Sequence, residues 1–163
     1  MNKQPMARKI KLRFAITFLL PALTTLVASQ ISAAILAGPF TNAANGHIYF
    51  LLSSNTWTGA EAEAVSLGGH LVTINDADEN HWVFTNFVTF GGIQRPLWIG
   101  FYQPAGSVEP AGGWTWISGE PVTYTDWTPP GEPNNNTANG PQNWAMVWPP
   151  AAEGVVHPYT AEH

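Results

Sequence analysis

Glu132-Pro133-Asn134 sets a carboxylate and a side-chain amide on either side of a proline, inside a stretch, 114–134, rich in Trp, Gly and Pro. Both groups are oxygen donors of the kind a hard cation takes, and calcium requires about six to eight of them. The same pair suits the vicinal hydroxyls of a sugar, because a carboxylate accepts from O–H while an amide both donates and accepts. Further oxygen ligands have to come from the strand after the loop, and no obvious set lies between it and His163. Proline and asparagine also build ordinary surface turns, so the tripeptide alone does not separate a site from a bend.

Other chemistry-bearing residues point elsewhere. Asp76, Asp78 and Glu79 resemble half of a cation loop but lack the glycine and final glutamate of an EF-hand; helix capping is their simpler reading. His47, His70, His81, His157 and His163 show no zinc-ligand spacing. Neither a Gly-x-Ser-x-Gly elbow, a His-Glu-x-x-His pair nor a phosphate loop occurs, so nothing points to an enzyme. Asn135-Asn136-Thr137 fits a glycosylation acceptor, and a glycan there would block the loop. Trp127 is the tryptophan nearest the loop; packing, the usual work of aromatics, is preferred to sugar stacking.

The elements that must hold this loop follow from the hydropathy pattern. Residues 46–52 are dense in strand formers and read as a buried first strand. Thr58-Gly59-Ala60-Glu61 reads as a capping box opening a helix that stops at Gly68-Gly69. Residues 75–79 offer caps and negative charge to a second helix, with Trp82, Val83, Phe87 and Phe90 at helical spacing and Gly91-Gly92 at its end. Leu97-Trp98-Ile99-Gly100-Phe101, Trp114-Thr115-Trp116 and 144–148 read as strands around a long irregular loop, 118–142. Beyond Pro150 the signal fades, and Pro158 is expected to break any strand begun by Val155-Val156. The order predicts an α+β domain, two helices flanking small antiparallel sheets.

Charge is segregated. Lys3, Arg8, Lys9, Lys11 and Arg13 precede an apolar run through about residue 37, with Ser32-Ala33-Ala34 suited to signal peptidase. Residues 1–34 are therefore expected to be a signal peptide, 35–45 a linker and 46–163 the domain, exported and without a membrane span once the signal is removed. Past residue 34 the chain carries Arg95 against eleven acids, a formal charge of −10, which excludes nucleic acid as a partner. An exported chain without cysteine has no disulfide framework, so eight Trp and eight Phe must supply its stability by packing.

Four segments resemble the C-type lectin-like domain. Residues 68–74 resemble the exit of that family's first helix, and 97–101 its core Trp-Ile-Gly-Leu strand. Trp114, Trp116, Gly119-Glu120-Pro121 and Trp127 resemble the run into its long loop, and Glu132-Pro133-Asn134 its tripeptide for calcium and mannose-type sugars. The ordered set carries the likeness, over about residues 46–148. Three departures stand out. Ala64 and Trp144 occupy the usual disulfide positions, Gln142 stands near a usual ligand glutamate, and neither the Trp-Asn-Asp triplet nor a closing strand is visible after Trp148.

The resemblance implies a cis bond before Pro133, aiming Glu132 and Asn134 to one side. It further implies calcium held by Glu132, Asn134, Gln142 and Asn143, and a mannose- or glucose-type carbohydrate or glycoconjugate bound through Glu132, Asn134 and Asn143. Gln142 and Asn143 are neutral, so weak calcium affinity is expected unless Asp126, Glu153 or Asn136 joins the site. The alternative is a calcium-independent lectin-like scaffold for protein partners or envelope structure. The C-terminal departures suggest an incomplete domain of marginal stability, with 47–52 left as an exposed sheet edge.

Overall fold

Thr56 starts the first helix. Its Oγ1 accepts from the Gly59 N–H at 3.0 Å, and α1 (Trp57–Ser66) runs on from there. The cap therefore lies two residues before the expected Thr58, and the expected box does not form: Glu61 does not fold back on a cap but accepts from the Leu71 N–H at 2.9 Å and pairs with His70 Nδ1 at 2.6 Å. Gly68, with φ of 86°, ends α1, and the Gly69 N–H returns to the Ala64 carbonyl at 2.9 Å, as the two glycines led us to expect.

This computed structural model describes residues 34–127, 131–135 and 142–149, and the backbone of Val156–Tyr159. All belong to one compact unit, 31–163. The expected signal segment, Asn136 and Glu153 fall outside the described residues.

Among the described residues, six strands form two antiparallel sheets. β1 (Ile35–Thr41) pairs with β2 (Ile48–Leu52), and the second sheet runs β4-β3-β5-β6. In it β3 is Leu97–Tyr102, β4 Thr115–Trp116, β5 Trp144–Val147 and β6 Val156–Tyr159. The α+β class read from the sequence holds. Two local readings are corrected. Residues 35–45, taken as a linker, contain β1; Gly38-Pro39 hid it, and the register slips on either side of Ala37 absorb that irregularity. Val156–Tyr159 forms a strand despite Pro158, because β6 lies at the edge of its sheet, where a missing N–H need break no ladder.

Asp76 caps the second helix, accepting from the Glu79 N–H at 2.8 Å. α2 (Ala77–Val83) then widens into a π-helical turn, Phe84–Val88, and a 3-10 turn, Phe90–Gly92. Together these turns place Val83, Phe87 and Val88 inward. Ile74, Val88, Ile99, Phe101, Trp116, Ala145 and Val147 make one buried cluster; Ala37, Leu51, Val83 and Phe87 make a second beneath the β1-β2 pair. The indole of Trp57 pins α1 to β3 through a 2.9 Å bond to the Ile99 carbonyl.

Candidate functional site

The loop is held from below by aromatics. Trp127 packs 4.9 Å from Trp114 and 5.6 Å from Phe101, measured between ring centres, so its face belongs to the core cluster. Asp126, beside it, accepts from Asn80 Nδ2 at 3.1 Å, and Asn80 also reaches the Tyr124 hydroxyl at 3.3 Å. That bond commits Asp126 to the anchoring of the loop on α2. Burial, the larger cause, raises the pKa of Tyr124, with the charge of Asp126 adding to it and the Asn80 bond opposing it.

The Glu132-Pro133 bond is cis. Asn134 donates twice to the Glu132 carboxylate, from its backbone N–H to Oε2 at 3.0 Å and from Nδ2 to Oε1 at 2.8 Å. These two sequence-expected donors are thus brought together. Asn135 comes next with φ of 46°, a conformation asparagine tolerates, and its Oδ1 accepts from the Gln142 N–H at 3.1 Å. That bond joins the two limbs of the loop and fixes Gln142 beside the tripeptide.

Asn143 is positioned through its main chain. Its carbonyl accepts from the Gln103 N–H at 2.8 Å, just past the end of β3. Gln103, 3% exposed, also donates from Nε2 to the Gly112 carbonyl at 2.7 Å. Asn135, read from the sequence only as a glycosylation acceptor, and Gln103, which the sequence did not single out, are positioning residues. An asparagine directly after a proline turn is the one local signal that could have found the first; Gln103 carried none.

As ligands for a cation, the donors fit in kind but are few. Glu132 supplies the negative charge, and Asn134, Gln142 and Asn143 can supply neutral oxygens. Among the described residues no three His, Asp or Glu side chains lie together as a metal-holding group.

Residues 53–146 match the Lectin C-type domain family. The chain belongs to this family. Over 57 residues it is 46% identical to the 30 kDa spicule matrix protein of Hemicentrotus pulcherrimus, a stretch covering 35% of this chain and 18% of that protein. The mouse scavenger receptor C-type lectin carbohydrate-recognition domain superposes with a TM-score of 0.56 at 26% identity, over 71% of this chain and 81% of that one. A calcium-independent type II antifreeze protein superposes with a TM-score of 0.52, also at 26% identity, over 67% and 72%. The chain spans about half or less of the length of such curated relatives as the spicule protein. The structures it resembles thus include a carbohydrate-recognition domain and a calcium-independent antifreeze protein.

Proposed function

We propose that this domain binds mannose- or glucose-type carbohydrate through a calcium ion held at Glu132 and Asn134. One observation supports the reading above the others: a carboxylate and an amide, two residues apart across Pro133, face each other within hydrogen-bond distance. Glu132, Asn134, Gln142 and Asn143 would hold the ion, which would supply open positions for two vicinal hydroxyls. Glu132 would accept from one hydroxyl, and the Asn134 and Asn143 amides would donate to a sugar oxygen. With one carboxylate in the set, affinity for calcium belongs in the weak, millimolar range of extracellular modules. The expected signal and the acidic domain favour an activity outside the cytoplasm, on free glycans or glycoconjugates.

The test is retention on immobilised mannose. Wild-type chain should be retained with several millimolar calcium and released by chelator, while Glu132→Ala should pass through in both. Equal retention in chelator would reject the calcium mechanism.

A second reading, a calcium-independent scaffold that engages a protein, draws support from the sparse acid set and from the calcium-independent relative. Under it the melting temperature stays flat as calcium is added.

A further inference from the structure

Asn-Gly occurs twice in the chain, at Asn45-Gly46 and at Asn139-Gly140. An asparagine side-chain amide can be attacked by the main-chain nitrogen that follows it, and glycine, without a Cβ, screens that nitrogen least. At Gly46 φ is 76°, and nothing stands within 4 Å of where a Cβ would be. Both residues are exposed on the turn that joins β1 to β2, so water reaches them.

The turn nevertheless holds the atoms that such a reaction must move. Asn45 Nδ2 donates to the Tyr49 hydroxyl at 2.9 Å and to Glu79 Oε1 at 3.1 Å, while its Oδ1 accepts from the His47 N–H at 2.9 Å. The Gly46 N–H donates to the Asn42 carbonyl at 2.7 Å, and the Asn42 N–H donates to the His47 carbonyl at 3.0 Å. Glu79 and Asn42 are both buried, so these partners are fixed by the fold. Attack requires the amide carbon of Asn45 to turn toward the Gly46 nitrogen, which breaks the side-chain bonds. It also requires that nitrogen to release the proton it shares with Asn42.

We propose that Asn45 is a deamidation site locked in the folded chain by Glu79, Tyr49 and Asn42, and that its conversion unties the β1-β2 turn from α2. Once the lock opens, the Gly46 nitrogen loses its proton to solvent base and bonds to Asn45 Cγ. The Cγ–Nδ2 bond breaks, and Nδ2 leaves as ammonia with protons taken from water. Water then opens the five-membered imide to aspartate or isoaspartate, and nothing is oxidised or reduced. Either product replaces an amide donor by a carboxylate, which only accepts. Both bonds made by Nδ2 are lost, and a second negative charge stands near Glu79, where like charges away from bulk water repel. The change is one-way, so a chain that has reacted does not regain the tie.

The full chain is held in mildly alkaline buffer, either folded or in urea, and its digests are scored by mass for conversion at Asn45. Conversion of Asn139 in the urea sample shows that the conditions drive the reaction. Folded, Asn45 should convert at least about tenfold more slowly than in urea, because several hydrogen bonds, each worth about a factor of five, must open together. Tyr49→Phe removes one of them and should speed the folded reaction about fivefold without changing the rate in urea; circular dichroism checks that this variant folds. Asn45→Asp, which makes the product directly, should have a lower urea midpoint than wild type. Equal rates at Asn45 in the folded chain and in urea overturn the proposal. So does a folded Tyr49→Phe that reacts no faster than wild type, or an Asn45→Asp midpoint equal to that of wild type. The first and last of these measurements decide whether or not Tyr49→Phe folds.

Discussion

Two glutamates show how differently one residue type is used here. Glu79 is 5% exposed, and its carboxylate accepts from the Tyr49 hydroxyl at 2.6 Å, Asn45 Nδ2 at 3.1 Å and the Asn75 N–H at 2.9 Å. It ties α2 to β2 and to the turn before it. Glu79→Gln would set an NH₂ group against those donors and should lower unfolding free energy by about 2 kcal/mol, read from the urea midpoint. Glu132 sits in a surface loop, so its loss should leave that midpoint within about 0.5 kcal/mol of wild type while removing sugar retention. Tyr49 reports on the first network. Burial, and then its bond to Glu79, raise its pKa above the ordinary phenol value. A raised folded-state pKa means that the protonated form is favoured on folding, so this stability is intact below about pH 10 and is lost as pH rises above it. Near-ultraviolet phenolate absorbance should show a tyrosine that ionises late, and Tyr49→Phe should remove both that phase and its share of the alkaline loss of stability.

At the scale of elements, the close crossing of β3 with the connector after α1 is the most demanding. A Cβ on Gly100 would stand 2.7 Å from the Leu71 carbonyl oxygen and 3.0 Å from Ile117 Cγ2, and the Gly100 N–H donates to the Val72 carbonyl at 2.8 Å. Gly100→Ala must push backbone aside and should cost about 1–3 kcal/mol, measurable by thermal melts followed by circular dichroism. The Trp-Ile-Gly-Phe strand itself was plain in the sequence, because a fully buried strand needs a continuous apolar run and local residues supply it. β1 and β6 were not plain, since each carries a proline that only its sheet neighbours make tolerable. Thr58 reads as the cap because Glu61 stands three residues on and completes a capping box with it, whereas Glu61 is in fact drawn to His70 and the Leu71 N–H, partners nine and ten residues away that no local pattern reveals. The candidate loop divides the same way. Glu132-Pro133-Asn134 is a local motif and was legible, whereas the bond from Gln142 to Asn135 spans seven residues and depends on how the loop closes.

At the scale of the whole molecule, charge and calcium make distinguishable demands. Residues 35–163 hold eleven acids against Arg95, and such an imbalance destabilises a compact state by self-repulsion. Any salt relieves this, because at about 0.15 M ionic strength the screening length is about 8 Å. Sodium chloride should therefore raise the melting temperature of wild-type chain and of Glu132→Ala alike. Calcium at matched ionic strength should add a further increment in wild type alone. With a dissociation constant near 1 mM, 10 mM calcium would stabilise by about 1.4 kcal/mol, a shift of several degrees for a domain of this size. An equal increment in Glu132→Ala would locate the calcium effect away from the loop, among the general acidic surface. A response to sodium with none to calcium would leave screening as the only ionic term, and the scaffold reading would then account for the fold.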